Sequence, residues 1–323
     1  MSMRVLVTGG GGFIGSNLAA RLLADGHSVR VLDNFATGRR ENLVEIADDL
    51  ELVEGDVQSY ERVHTAVRGC DIVLHQAAMP SVPRSVQDPL TSNATNVVGT
   101  LNVLLASRDC EVRRVVFASS SSIYGHNPTL PKREHQVPAP ISPYAVAKLA
   151  GEGYCRSFSE VFGLDTVVLR YFNVFGPHQD PLSQYSAVIP NFITAALGGR
   201  APLIFGDGEQ TRDFTYIDNT VEANVLAMNA EGVTGEIFNI ACNERISLNQ
   251  MLKEITAQLG IDLEPTYSEE RVGDVKHSLA DISRAGEALG YTPTVNFSDG
   301  IVRTLEWFER YGSHWVEVAA SKK

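Results

Sequence analysis

The sequence predicts an α/β protein, a doubly wound parallel sheet followed by a smaller α/β C-terminal lobe. Three observations carry that expectation. Short β-branched runs recur through the first half of the chain and are apolar almost without interruption, as strands buried on both faces must be. Amphipathic stretches of helical length alternate with them, and that alternation implies right-handed crossovers within one parallel sheet. Past about residue 176 the pattern changes to short elements punctuated by Gly and Pro, in GPHQDP, GGRAP and GDGEQTRDF.

Taken in order, the expected strands are RVLVTG (4–9), SVRVLD (28–33), ELVEGDV (51–57), DIVLHQAA (71–78), RRVVFASS (113–120) and TVVLRYFNVFG (166–176). Helical patterns fill the gaps at 14–24, 59–67, 90–107 and 143–162. Beyond residue 176 the reading gives a helix over 217–229, a strand EIFNIA over 236–241, and helices near 247–259, 281–289 and 298–311. No internal repeat and no low-complexity linker separates the halves. Two lobes, 1–176 and 177–323, are therefore expected to pack closely and to interleave.

Composition bounds the function. A chain of 323 residues with 44% hydrophobic and 20% charged residues builds a sizeable core. A net charge of −12 argues against a nucleic-acid surface, which needs clustered Lys and Arg. It leaves room for an anionic small molecule held by a few arginines. Cys70, Cys110, Cys155 and Cys242 are scattered, with no CxxC and no metal-ligand spacing, so reduced thiols and no metal are expected. No apolar run approaches the ~20 residues of a membrane span. The expectation is a cytoplasmic protein with no membrane partner.

The strand-to-helix junction Gly9-Gly10-Gly11-Gly12-Phe13-Ile14-Gly15 carries the first functional signal. Residues without side chains let a pyrophosphate approach the backbone, and a helix N-terminus offers it unpaired N–H groups. The spacing Gly9, Gly12, Gly15 is GxxGxxG, the short-chain dehydrogenase variant of the Rossmann fingerprint. Asp33 ends the second strand, where a carboxylate accepts the ribose hydroxyls of NAD and repels the 2′-phosphate of NADP. Arg39 and Arg40, which could have favoured NADP, read as solvated residues opening a helix. Asp56-Val57, ending the third strand, falls at the adenine edge.

The second signal is Tyr144-Ala-Val-Ala-Lys148, preceded by the strand-end cluster Ser119-Ser120-Ser121-Ser122. With Pro143 as first helical residue, Tyr144 and Lys148 share one helix face. A phenol of pKa ~10 is a poor base at neutral pH. A neighbouring ammonium, with the positive nicotinamide ring, stabilises the phenolate, and a serine hydroxyl across the site can share the same sugar oxygen.

The motifs TGGGGFIG, DNFATG, GDV, HQAA, SVPRS, FASSSSIYG, SPYAVAK, RYFNVFGP, GDGEQTRDF and GDVKHSLAD together resemble the nucleotide-sugar epimerases of the extended short-chain dehydrogenase family. The likeness runs in unbroken order from about residue 4 to 310. It is strongest to the UDP-N-acetylglucosamine 4-epimerases, in RYFNVFGPHQDPLSQYSAVIPNF and RVGDVKHSLADI. The resemblance implies Tyr144 as base, Lys148 as its tuner and ribose ligand, and Ser120 as proton relay. It implies NAD contacts at Gly9, Gly12, Phe13, Ile14, Gly15, Asp33, Asn34, Thr37, Gly38, Asp56, Val57, Ala77, Ala78 and Asn96. Ser121 and Ser122 would border the sugar. Arg212 and Arg271 resemble diphosphate ligands, Asn173 the residue of the phosphate region, and Asp274 a uridine-ribose ligand. His178 and His277 read as structural.

The same likeness bears on reaction and substrate. Related 4,6-dehydratases carry an Asp-Glu pair where this chain has Ser121-Ser122, and neither hydroxyl is an acid or base unaided. A decarboxylase would need a carboxylate-binding arginine in the sugar pocket, for which no clear candidate stands out. Ser278 holds the place that limits the C2 substituent, and its small side chain leaves room for an N-acetyl group. Gln179 and Ala187 agree with an acetamido sugar, whereas Pro80 departs from the Gly of similar relatives and stiffens the loop beside it. The expected activity is NAD-dependent 4-epimerisation of UDP-hexoses, UDP-GlcNAc and UDP-GalNAc foremost, with UDP-Glc and UDP-Gal accepted. A UDP-glucose or UDP-uronate 4-epimerase, another nucleotide-sugar enzyme such as a dehydratase, and a catalytically silent NAD-binding regulator are the alternatives. The helices at about 91–107 and 143–162 are apolar on more than one face, and the resemblance implies a homodimer built on them.

Overall fold

The computed structural model describes residues 2–181, 188–269, 276–313 and 315–316. Its centre is a seven-stranded parallel sheet. Six strands come from the first half: β1 (Arg4–Thr8), β2 (Ser28–Asp33), β3 (Leu50–Glu54), β4 (Ile72–His75), β5 (Arg114–Ser120) and β6 (Thr166–Tyr171). The spatial order is β3-β2-β1-β4-β5-β6, closed at the far edge by Glu236–Ile240 beside β6. The order reverses between β1 and β4, and a crevice opens beyond the strand ends at that switch point. The edge strand β3 alternates exposed residues, while β5 and β6 are buried nearly end to end. That difference is why the inner strands read as unbroken apolar runs.

Side chains alternate across the sheet into two cores. Leu6, Leu32, Val73, Val115 and Val168 face helices α2 (Tyr60–Val67), α5 (Gly99–Asp109) and α6 (Pro143–Phe162). Val5, Val7, Leu74, Val116 and Leu169 face the opposite way, toward α1 (Phe13–Ala24) and α8 (Ile217–Asn229). That second core runs without a break into α7 (Val188–Leu197), α9 (Leu248–Leu259), α10 (Ser283–Leu289) and α11 (Phe297–Tyr311). Residues beyond 176 thus supply both a strand of the main sheet and much of one covering layer.

Helix ends follow local chemistry. Ser142 caps α6 by accepting the Ala145 N–H, Pro143 occupies the first position, and Gly163 at φ 70° ends it. Ser247 and Gln250 form a reciprocal capping box on α9.

Four segments differ from expectation. The helix read over 90–107 is broken into the short helices α3 (Val82–Gln87) and α4 (Pro89–Asn93), a π-helical turn at Ala94–Val98, and α5. A Cβ at Gly99 would lie 2.7 Å from Val57 Cγ2, so this stretch packs closely on the loop that follows β3, and Asn96 on the π turn is buried. The run 166–176 stops at Tyr171, because Asn173 adopts φ 34°, and resumes only as Val174–Phe175 paired with Thr215–Tyr216. The helix expected to open at Arg39-Arg40 is a 3-10 stretch, Arg40–Ile46, and Val188–Leu197 forms a helix that no clear periodic signal marked. Pro190 sits in the first turn of α7, where a missing N–H costs little.

Candidate active site

The glycine loop sits between β1 and α1 at the switch point. Gly9 has φ 71°, and a Cβ there would stand 2.7 Å from the Ala77 backbone. A Cβ on Gly15 would stand 2.2 Å from the Gly9 carbonyl oxygen. These two glycines are therefore required by packing alone. Gly12 caps α1 with no side-chain hydrogen bond, leaving the first-turn N–H groups at Phe13 and Ile14 uncapped. An uncapped helix start over a side-chain-free loop fits the pyrophosphate of a dinucleotide.

Asp33 ends β2 nearly buried, with Oδ2 accepting the Gly11 N–H at 2.8 Å and Oδ1 the Phe35 N–H at 2.7 Å. Burial raises its pKa from the usual value, and the backbone donors offset this in part. Each oxygen keeps a lone pair for a ribose hydroxyl. Asn34 donates to Asp56 Oδ2 at 2.8 Å, joining the ends of β2 and β3, while Thr37 lies exposed on the intervening loop. Gly38 packs against Gly11, where a Cβ would come within 2.8 Å. Arg39 and Arg40 are not simply solvated: Arg39 pairs with Asp180 at 2.7 Å, and Arg40 with Glu54 while lying over the Phe35 ring. With both arginines paired and Asp33 beside Glu54, the edge disfavours an added 2′-phosphate.

Ala77 and Ala78 follow β4 on the other side of the crevice. The Ala77 N–H donates to Thr8 Oγ1 at 3.2 Å, and Thr8 is bonded to the buried His75. The Asn96 amide is taken up by the loop after β4. It clamps Met79, accepting that N–H at 2.7 Å and donating to its carbonyl at 3.1 Å, so it acts through the 77–81 loop. Pro80 is followed by Ser81 at φ 91°, a conformation held by its cap on Arg84.

The chemical centre lies where α6 crosses the end of β5. The Tyr144 hydroxyl is in hydrogen-bonding contact with Ser120, whose Oγ also accepts the Ser122 N–H at 3.2 Å. Lys148 Nζ donates to the Ala118 carbonyl at 2.8 Å and lies 5.8 Å from the centre of the Tyr144 ring. Burial pushes the Tyr144 phenol up to about 12, against the lowering effect of Ser120, and brings Lys148 down to about 8. Burial thus opposes the phenolate, and the tuning expected of the ammonium is incomplete without the positive nicotinamide ring. Ser122 Oγ is buried without a hydrogen-bond partner among the described residues, as a hydroxyl awaiting a ligand would be. Ser121 lies beside it on the same 3-10 turn.

The third cluster belongs to the C-terminal half. Asn173 Nδ2 donates to the Asp213 carbonyl at 2.9 Å, and Ser278 Oγ accepts the Asp213 N–H at 3.4 Å. Arg212 donates to the carbonyls of Thr211 and Lys276. Gln179 donates to the Val174 carbonyl at 3.0 Å and braces its own turn, with its Oε1 buried. Ala187, Arg271 and Asp274 lie outside the described residues. His178 bonds Ser16 and His277 bonds Thr211, both as structural links.

Three features were not read from the sequence. Asp213, fully buried, accepts N–H groups from Cys242 and Ala280, both at 3.0 Å, and ties the loops that carry Arg212 and Ser278; burial pushes it up to about 6. Ser85 accepts the Tyr144 N–H at 3.0 Å. Glu152, one further turn along the Tyr144–Lys148 face, meets Ser119 and Arg170. Only Glu152 had a readable signal, its place eight residues after Tyr144 on the same face.

Comparison with known proteins agrees with this geometry. The family model described as NAD dependent epimerase/dehydratase family matches residues 5–241. A UDP-glucose 4-epimerase of Mycolicibacterium smegmatis is 40% identical over 310 residues, covering 95% of this chain and 98% of the relative. The solved UDP-N-acetylglucosamine 4-epimerase of Methanobrevibacter ruminantium, in complex with UDP-N-acetylmuramic acid, superposes with a TM-score of 0.92 at 40% identity, covering 96% of this chain and 99% of that one. The UDP-glucose 4-epimerase of Thermus thermophilus, solved with NAD, gives a TM-score of 0.88 at 36% identity, covering 96% and 100%.

Proposed function

The chain belongs to the NAD dependent epimerase/dehydratase family, an enzyme that uses NAD, and from that premise we propose that it inverts carbon 4 of a UDP-hexose. The single observation that carries the reading is the meeting of Ser120, Tyr144 and Lys148 below a glycine loop shaped for a dinucleotide. Gly9, Gly12, Gly15 and the uncapped start of α1 would hold the pyrophosphate, and Asp33 the adenosine ribose. When bound, NAD supplies a reversible hydride acceptor.

The chain's own residues do the rest. Tyr144 takes the O4 proton as the alcohol becomes a ketone and returns it when the ketone is reduced on its other face. Ser120 hydrogen-bonds the same oxygen and relays its proton to the phenolate. Lys148 keeps positive charge beside that phenolate and reaches the nicotinamide ribose. Ser121 and Ser122 can hydrogen-bond the sugar but supply no acid or base for dehydration. The resemblance gives Arg212 and Arg271 to the diphosphate, Asn173 to the phosphate region and Asp274 to the uridine ribose. Binding energy then rests on UDP, leaving the sugar free to turn.

We further propose UDP-GlcNAc and UDP-GalNAc as preferred substrates, with UDP-Glc and UDP-Gal accepted, because Ser278 leaves space at carbon 2. The assembly we propose is a homodimer. Leu90 at 82% and Val86 at 63% exposure, with Val98 on the π turn and Val146 on α6, leave apolar surface on the helices that would pair.

Proton NMR on the purified chain mixed separately with UDP-GlcNAc, UDP-Glc and UDP-GlcA tests the reaction and the sugar preference. A galacto-configured anomer signal growing in with no added reductant supports 4-epimerisation, and the relative rates rank the sugars. No change with any of them, NAD added, removes the reading.

A further inference from the structure

Three side chains on one face of α6, each four residues after the last, read three successive residues of β5. Tyr144 meets Ser120, Lys148 donates to the Ala118 carbonyl, and Glu152 Oε1 accepts the Ser119 hydroxyl at 2.5 Å. The helix can lie this close because position 151 is glycine. A Cβ there would fall 2.4 Å from the Phe117 ring.

Glu152 is also locked from the other side. Arg170, on the neighbouring strand and in register with Ser119, grips it with Nε on Oε1 at 2.9 Å and Nη2 on Oε2 at 2.7 Å. Both residues are essentially buried, at 3% and 2% exposure. Arg170 Nη1 then donates to the Tyr124 hydroxyl at 2.8 Å, which donates to Asn239 at 2.7 Å. Every oxygen and nitrogen of the fork is used.

For stability alone such a pair is a poor investment, since two well-packed apolar side chains commonly serve as well. What a bidentate fork adds is fixed geometry. We propose that Glu152, held by Arg170, is a positioning residue for the reaction: it sets the register of α6 against β5 and so fixes Tyr144 and Lys148 relative to Ser120. This rests on the 4-epimerase reading. Its consequence is specific. Loss of the fork shifts the catalytic pair by fractions of an ångström while leaving the groups proposed to hold the pyrophosphate, the adenosine ribose and UDP in place, and such shifts are costly to turnover.

The test uses the full chain with NAD. The paired change Glu152→Met with Arg170→Met removes both charges together and avoids leaving one buried and uncompensated. Ser119→Ala removes only the hydroxyl rung. The expected result is a paired variant melting within about 3 °C of the unaltered chain. It keeps NAD through gel filtration and KM within about 3-fold, while kcat falls about 10-fold or more. Ser119→Ala loses kcat several-fold. A purely structural pair predicts the reverse, with kcat restored whenever the fold is, and unchanged kcat in the paired variant overturns the proposal. Should that variant not fold, unchanged kcat in Ser119→Ala overturns it instead. A readout without substrate keeps the proposal separate from the reading beneath it. With only six lysines in the chain, ε-carbon NMR of labelled lysine resolves Lys148, assigned through Lys148→Met. Its titration midpoint moves in the positioning variants if the register shifts and stays put if it does not, whichever sugar the enzyme takes.

Discussion

The seam between β5 and α6 and the cluster around Arg212 solve opposite problems. In the seam the rungs are buried or half-buried, and each polar group is held by a partner on another element: Lys148 by Ala118, Glu152 by Ser119 and Arg170, Tyr144 by Ser120 and Ser85. Around Arg212 the side chains proposed to meet the substrate stay partly or fully exposed, and the buried member is Asp213, which binds backbone. The first region fixes side chains; the second fixes loops and leaves side chains to close on a ligand. On the proposed 4-epimerase reading one oxygen is held still while the sugar turns, and that needs both.

Changes in the two regions should therefore separate in kinetics. Tyr144→Phe should lower kcat about 1,000-fold, the scale of a lost acid–base group, with UDP and NAD binding unchanged by calorimetry. Comparable turnover would remove Tyr144 from the mechanism. Ser278→Tyr should cut kcat/KM for UDP-GlcNAc about 100-fold and spare UDP-Glc, measured side by side by NMR. Equal losses would show that position 278 acts on the Asp213 loop and not on carbon 2. Arg212→Ala should raise KM about 10-fold, as loss of a charged hydrogen bond does, with kcat within about 3-fold. A loss confined to kcat would break the division of labour between the regions.

The smallest effect concerns the seam's underside. His75 is buried between Thr8 and Thr100, and burial, then the Lys148 charge, brings it from 6.5 down to about 3. A base whose folded pKa lies below its unfolded one contributes stability above 6.5 that is lost as pH falls toward 3. Asp213 works in the opposite sense: raised from 3.8 to about 6, it favours the fold increasingly as pH falls through that interval. The comparison that isolates His75 is therefore His75→Gln against the unaltered chain. Between pH 7 and 4.5 the unaltered chain should lose roughly 2 kcal/mol more in urea unfolding. Parallel curves would show that the buried imidazole finds a proton partner.

The two regions also differed in how far they could be read. Gly9, Gly12, Gly15, Asp33, Tyr144 and Lys148 were legible because a turn, a strand end or one helix face fixes their spacing locally. The roles of Asn96 and Glu152 were not, because each is defined by a partner 17 or more residues away: Met79 for one, Arg170 and Ser119 for the other. Asp213 was invisible for the same reason, being an ordinary Asp in TRDF until Cys242 and Ala280 fold onto it. The break at Tyr171 went unread because an apolar run carries no mark of the residue that leaves the sheet, here Asn173 at φ 34°.

By itself, then, the sequence determined the sheet, the glycine loop and the helix face shared by Tyr144 and Lys148, since periodicity and glycine spacing act over a few residues and survive without tertiary context. Tertiary structure alone decided that Asn96 clamps a loop, that Arg39 is spent on Asp180, and that Tyr144 and Lys148 take their register from a buried Glu152–Arg170 fork. Desolvation made those decisions. A buried polar group must be paired, and which partner it takes is settled only when distant strands and helices close around it.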